Sequence, residues 1–174
     1  MDPLEQATSE QNSLEKLVAW VPGYKGYKAK EVRREVDKQL RESLVAKLST
    51  RQRKLTSLQS DLLSAGGLLW MDDMEKLVAK LQLFSDRVRT ASYGYAPFFG
   101  AKKVKEDDLD RMYEFDTQLV ADLGRLDEAI TGLEGAIQTN ENIKEWVQTT
   151  STVLMSFNET FGRREEVITG IPQQ

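Results

Sequence analysis

Apolar positions along this chain repeat at helical spacing, and the longest such stretch is residues 106–138. There Leu109, Met112, Leu119, Leu123, Leu126, Ile130, Leu133 and Ile137 recur at alternating steps of three and four, broken only at Asp116. A stripe kept in register over several heptads must face other helices, because propensity alone leaves a helix marginal in water. At about 1.5 Å rise per residue such a helix is a rod of roughly 50 Å. Residues 69–91 carry the cleanest repeat, with Trp70, Met74, Leu77, Leu81, Phe84, Val88 and Ala91 stepping by four and three. Between about Lys28 and Ser64 the apolar residues Val32, Val36, Leu40, Leu44 and Leu48 step by four, and Leu55, Leu58 and Leu62 follow. A step of four drifts around a straight helix, so this inward face wraps.

Breakers divide the pattern. Gly66-Gly67 predicts a tight turn between two antiparallel helices. Asn12 with Glu15 three residues on has the form of a capping box, predicting a short first helix that ends before Pro22. The turn PGYKGYK at 22–28 follows it. Thr139-Asn140 predicts the start of a last helix over about 141–161, with one continuous helix from 106 to 161 as the alternative. The fold class expected is therefore all-α. It is an antiparallel helical bundle of three to four long heptad-patterned helices plus a short N-terminal helix, with the second and fourth helices at the core. Residues 1–11 are expected to be disordered, 12–161 to form one bundle domain, and 162–174 to be a flexible tail that begins at Gly162.

Composition narrows the chemistry. The chain holds 174 residues, enough for one domain with a sizeable core, and no apolar run of membrane-spanning length. It begins acidic and polar, unlike a secretory signal, and has no cysteine, which fits a cytoplasmic protein. It also has no histidine. Ser-His-Asp and Cys-His nucleophile arrangements are excluded, and so are the Glu-x-x-His pairs of di-metal bundles. No catalytic residue, metal ligand set or cofactor is expected, and the chain reads as a non-enzyme. The cluster Glu106, Asp107, Asp108 and Asp110 lacks the glycine and distal glutamate of a calcium loop, and suits the positive end of a helix dipole.

Two features point to binding. Residues 92–105, SYGYAPFFGAKKVK, hold four aromatics and a proline, and helix lengths bring this segment beside PGYKGYK. Tyr24, Tyr27, Tyr93, Tyr95, Phe98 and Phe99 are thus expected to form an aromatic cap at one bundle end, either plugging it or exposed to a protein partner. The second feature is charge. Residues 25–54 carry eleven Lys/Arg against four Asp/Glu, and 106–145 carry three against twelve. The reading preferred is that these two helices lie side by side and offset each other. The alternative is an anionic surface, of membrane headgroups or nucleic acid, bound by Arg33, Arg34, Lys38, Arg41, Lys102, Lys103 and Lys105.

Asp116 sits where the seam wants an apolar residue. It is expected to turn towards Arg87, Arg89 or solvent, so that Asp116→Leu leaves fold and assembly intact. Gly124, Gly132 and Gly135 interrupt the same helix at about 1 kcal/mol each, which ordinary tolerance, a close helix approach or a protomer contact would explain.

The segments PGYKGYKAKEVRREVDKQLRE (22–42) and RVRTASYGYAPFF (87–99) resemble those of small conserved bacterial helical proteins of unknown function, over about residues 14–137. That resemblance implies a bacterial origin and contributes no catalytic residue. The function expected is an interaction or scaffold module that binds a protein partner through the aromatic end, with self-association into a homo-oligomer as a further option.

Overall fold

The computed structural model describes residues 3–91, 95 and 104–170, and side chains from residue 11 onward. Among these the chain is all-α: α1 Pro3–Trp20, α2 Arg33–Ser64, α3 Met71–Thr90, α4 Glu106–Thr139 and α5 Ile143–Thr169. Short 3-10 turns at Lys30–Val32 and Leu68–Trp70 lead into α2 and α3. No helix among the described residues is long and apolar enough to cross a membrane. The chain divides into two compact units. Unit 1 gathers Met1–Ser43, Ala91–Ala121 and Thr160–Gln174, and unit 2 gathers Leu44–Thr90 and Asp122–Glu159.

Unit 2 is a four-helix arrangement of two hairpins. The first turn is closed by Gly66 in the left-handed region (φ 81°), with Gly67 N–H donating to the Leu62 carbonyl at 2.9 Å. That is the Schellman ending that glycine permits. The second turn uses Asn140 (φ 57°) and Asn142 (φ 56°), and Glu141 N–H donates to the Ala136 carbonyl at 3.1 Å. Asparagine tolerates this region better than most residues, so α4 and α5 are two helices and not one.

Between hairpins the numbering runs in one sense. Arg51 meets Asp127 and Lys54 meets Glu134, while Lys80 meets Ser151 and Phe84 meets Phe157. The hairpins therefore lie side by side in the same direction, in the ring order α2, α3, α5, α4. The expectation of a core made by the second and fourth helices gives way to this ring, in which all four helices supply buried residues. Leu48, Leu55, Leu77, Leu81, Leu126, Leu133 and Phe157 are each at most 1% exposed. The acidic stretch does lie against the basic one. Arg51 holds Asp127 through Nε and Nη2, at 2.8 and 2.6 Å, and Lys54 holds Glu134 at 2.5 Å.

Of the three glycines of α4, Gly132 is matched to its surroundings: a β-carbon there would overlap the Trp146 ring of α5. Nothing crowds Gly124 or Gly135.

Unit 1 departs from expectation at both ends of the chain. A helix begins at Pro3, where a disordered stretch to residue 11 was expected, and Asn12 and Glu15 are exposed positions inside it. Proline suits a first helical position because its missing N–H would find no partner there anyway. At the other end α5 continues past Gly162, which is buried, to Thr169. One glycine costs only about 1 kcal/mol. The extra two turns bring Ile168 and Arg164 into the interior, at 3% and 0% exposure. Gly170, at φ 67°, is the actual stop.

Candidate functional site

The turn between α1 and α2 is shaped by two left-handed glycines, Gly23 (φ 78°) and Gly26 (φ 72°). Each is followed by a tyrosine that turns inward, and Tyr24 and Tyr27 meet edge to face with ring centroids 6.1 Å apart. Arg33, at the start of α2, donates from Nε to the Tyr27 carbonyl at 2.6 Å and locks the turn.

Both tyrosine hydroxyls donate to Oδ2 of Asp116 on α4, at 2.9 Å from Tyr24 and 2.5 Å from Tyr27. Arg164 of α5 supplies the countercharge, with Nε 2.7 Å from Asp116 Oδ1 and Nη2 donating to the Tyr27 hydroxyl at 2.8 Å. Its Nη1 lies 2.9 Å from Asp37 Oδ1 of α2, an ion contact without the alignment of a hydrogen bond. Arg41, one turn further along α2, holds the other Asp37 oxygen at 2.9 Å. It also lies over the Tyr95 ring, 5.8 Å from its centroid. Tyr95 in turn donates to Glu165 at 3.3 Å.

Arg33, Arg41 and Arg164 are thus buried with Asp37, Asp116 and Glu165, three charges of each sign. Buried ions persist when paired, since an isolated charge in the interior costs several kcal/mol. Burial raises the pKa of Asp116 and outweighs the lowering by Arg164 and by the donors Tyr27 and Tyr24. Burial also raises all three tyrosines, with Asp116 adding to the effect on Tyr24, so their hydroxyls stay protonated donors. For Arg164 burial acts to lower the value, but Tyr27, Asp116 and Asp37 prevail and hold the guanidinium above its ordinary pKa.

Several sequence expectations are corrected here. Asp116 does not turn to Arg87, Arg89 or solvent; it is 0% exposed and is the acceptor at the centre of the network. Arg87 instead donates to Asn158 at 2.8 Å. Asp116→Leu would leave two tyrosine hydroxyls without their acceptor, so the expectation that the fold tolerates it is withdrawn. Tyr24, Tyr27 and Tyr95 do come together, but at 6%, 2% and 2% exposure they are interior residues and not a contact surface. Tyr93, Phe98 and Phe99, like Lys102 and Lys103, lie outside the described residues. Of the basic face, Arg33 and Arg41 turn inward to the partners above, while Arg34, Lys38 and Lys105 are exposed. The four acidic residues 106, 107, 108 and 110 open α4, as the helix dipole favours.

Beside the network, on the surface of unit 1, is a cleft of about 960 Å³. Leu14 of α1 and Leu109 and Tyr113 of α4 give it apolar surface, and Lys25, Lys28, Asp110 and Glu114 line it with charges of both signs. Tyr27 belongs to both features, lining the cleft and donating to Asp116. The sequence signal for the cleft is weak, because helical spacing turns Leu14 inward with Leu17, whereas it is 44% exposed. Among the described residues no cluster of three or more acidic side chains could hold a metal ion. No family model, curated protein or solved structure matches the chain.

Proposed function

We propose that this chain is a non-enzymatic interaction module of the cytoplasm, and that the unit 1 cleft receives an apolar segment of a protein partner. The observation that carries this reading is the lining of the cleft, which combines the apolar Leu14, Leu109 and Tyr113 with two lysines, Lys25 and Lys28, and two carboxylates, Asp110 and Glu114. Such a lining suits a peptide, whose side chains combine apolar anchors with charges of both signs. A phosphate-rich surface would meet repulsion from Asp110 and Glu114. The buried ions behind Tyr27 support the same reading, because the bonds from Tyr27 to Asp116 and Arg164 and from Arg33 to the Tyr27 carbonyl preorganise the wall at Lys25–Lys28 and lower the ordering cost of binding.

The test places the photocrosslinker p-benzoyl-phenylalanine at position 113 in the full chain, with position 148, exposed on α5, as control. Irradiation in the source cell is expected to give a polypeptide adduct at 113 and none at 148, and Leu14→Glu is expected to abolish it. The reading falls if position 113 yields no adduct, or if the adduct survives Leu14→Glu.

A further inference from the structure

The turn from α2 to α3 leaves leucine in water although the interior beneath it is already filled. Leu63, Leu68 and Leu69 are 50%, 70% and 78% exposed, whereas Leu62 between them is 1% exposed. A β-carbon at Gly67 would overlap the Leu62 side chain, so the turn packs directly on Leu62 and the space below is taken. Gly66 N–H donates to the Leu63 carbonyl and Trp70 N–H to the Gly67 carbonyl, both at 3.1 Å, which fixes the leucines outward. Exposed leucines are ordinary singly, but three around one turn form a patch. The α4–α5 turn lies at the same end of unit 2. Residues 57–76 and 135–148 make up that end and hold six carboxylates against two lysines, with Asp61, Asp72, Glu75 and Glu141 exposed. Helix dipoles favour the acids that open α3 and α5, but they give no reason to leave three leucines in water between them.

Apolar area and charge together select what covers this end. An anionic membrane surface or a nucleic acid would be repelled by the carboxylates. An acidic protein segment would be repelled in the same way. The complement is a surface with apolar anchors in the middle and Lys or Arg at its flanks, which is what a basic amphipathic helix presents. We propose that the Leu63, Leu68 and Leu69 end of unit 2 docks a basic amphipathic helix of a partner protein. Leucines enter the contact as anchors, and Asp61, Asp72 and Glu141 draw the lysines or arginines of the partner to its edge. This is a second contact surface, on the unit that does not carry the cleft, and it does not rest on the reading of the cleft.

Fluorescence anisotropy with the full chain tests it, and the probe is an amidated helical peptide of leucine and lysine alone, with leucine confined to one face. It is expected to bind. A peptide of the same composition with leucine spread around the helix should bind roughly tenfold more weakly, since charge attraction alone remains. Leu68→Ser/Leu69→Ser and Asp61→Asn/Asp72→Asn/Glu141→Gln change only exposed side chains, and each should also cost roughly tenfold in affinity with thermal unfolding unaltered. Leu83→Ser, at another exposed leucine of the same unit, should leave affinity unchanged. A benzophenone on the leucine face of the peptide should crosslink wild type within residues 63–71, read by mass spectrometry. The proposal is overturned by absence of binding, by equal binding of the two peptides, by variants that bind as wild type does, or by a crosslink elsewhere.

Discussion

Arg164→Met is the sharpest test of how unit 1 is held together. Arg164 is fully buried and reaches Asp116, Asp37 and the Tyr27 hydroxyl within 2.9 Å. Methionine is apolar and fills part of the same space, so the substitution removes the charge while limiting the cavity. Asp116 would keep two tyrosine donors but lose the guanidinium paired with it, and Asp37 would keep Arg41. Breaking one side of a buried ion pair costs about 3–5 kcal/mol. Domain stabilities are about 5–15 kcal/mol, so this is a large fraction of the whole. With a urea slope of about 2 kcal/mol/M for a domain of this size, the midpoint should fall by roughly 2 M.

The assay is urea unfolding followed by circular dichroism at neutral pH, with two companions. Lys38→Met removes an ion pair with Glu42 whose partners are 3.9 Å apart and 58% and 66% exposed. It should change stability by less than about 0.5 kcal/mol. The double variant Arg164→Met/Asp116→Leu deletes both charges together, and it should cost less than the two single changes summed, with a coupling of about 1–3 kcal/mol. An Arg164→Met midpoint within about 0.5 M of wild type, equivalent to about 1 kcal/mol, would refute the reasoning. So would strict additivity of the pair.

Three further outcomes are expected. Asp116 has a folded pKa raised above its ordinary 3.8, so the folded state binds the extra proton. Wild type should therefore lose stability relative to Asp116→Asn as pH rises from about 3.8 through the raised value, and gain it as pH falls; paired urea titrations across that window check the sign, and a relative gain with rising pH contradicts it. Gly132→Ala should lower the melting temperature, since overpacking against Trp146 costs about 1–3 kcal/mol, whereas Gly124→Ala in open space should raise it through a gain of up to about 1 kcal/mol. Asp127→Asn breaks the two-point contact with Arg51, whose side chains are 21% and 48% exposed. Its cost should be below about 1 kcal/mol at low salt and should shrink further near 1 M salt, read by the same melts.

The seams were legible because they are local: alternating threes and fours in 69–91 and 106–138 define which face of a helix is dry, and the structure buries those faces. The hairpin turn was legible because Gly66 meets a demand few other residues meet. What the pattern hides is pairing across long separations. Asp116 breaks an apolar seam, and burial of a carboxylate is costly, so the inexpensive solution from sequence alone was to face it outward. Its true partner, Arg164, lies 48 residues later. It sits beyond a glycine that looked like a helix end, in a stretch rich in charge and so read as solvated tail.

The same reasoning explains why the sequence brings the tyrosines together yet leaves open whether they plug that end or face a partner. Chain reach alone brings the 22–28 turn towards Tyr95, and the structure joins them through Arg41, Asp37 and Arg164. Aromatic content cannot say whether a ring end faces water or an ion. Here each hydroxyl is needed inside: Tyr24 and Tyr27 give Asp116 two of its three hydrogen bonds, and Tyr95 serves Glu165. An apolar seam could have closed unit 1 without any of these groups, and well-packed apolar residues often match or exceed a buried ion pair in stability. What the buried Arg164–Asp116, Arg164–Asp37 and Arg41–Asp37 contacts add is selectivity of arrangement, because any slip of α5 along α4 strands a charge in the interior. The turn carrying Lys25 and Lys28 is therefore held in one position by residues drawn from α2, α4 and α5. A cleft wall fixed in that way is suited to recognising one partner segment and rejecting others.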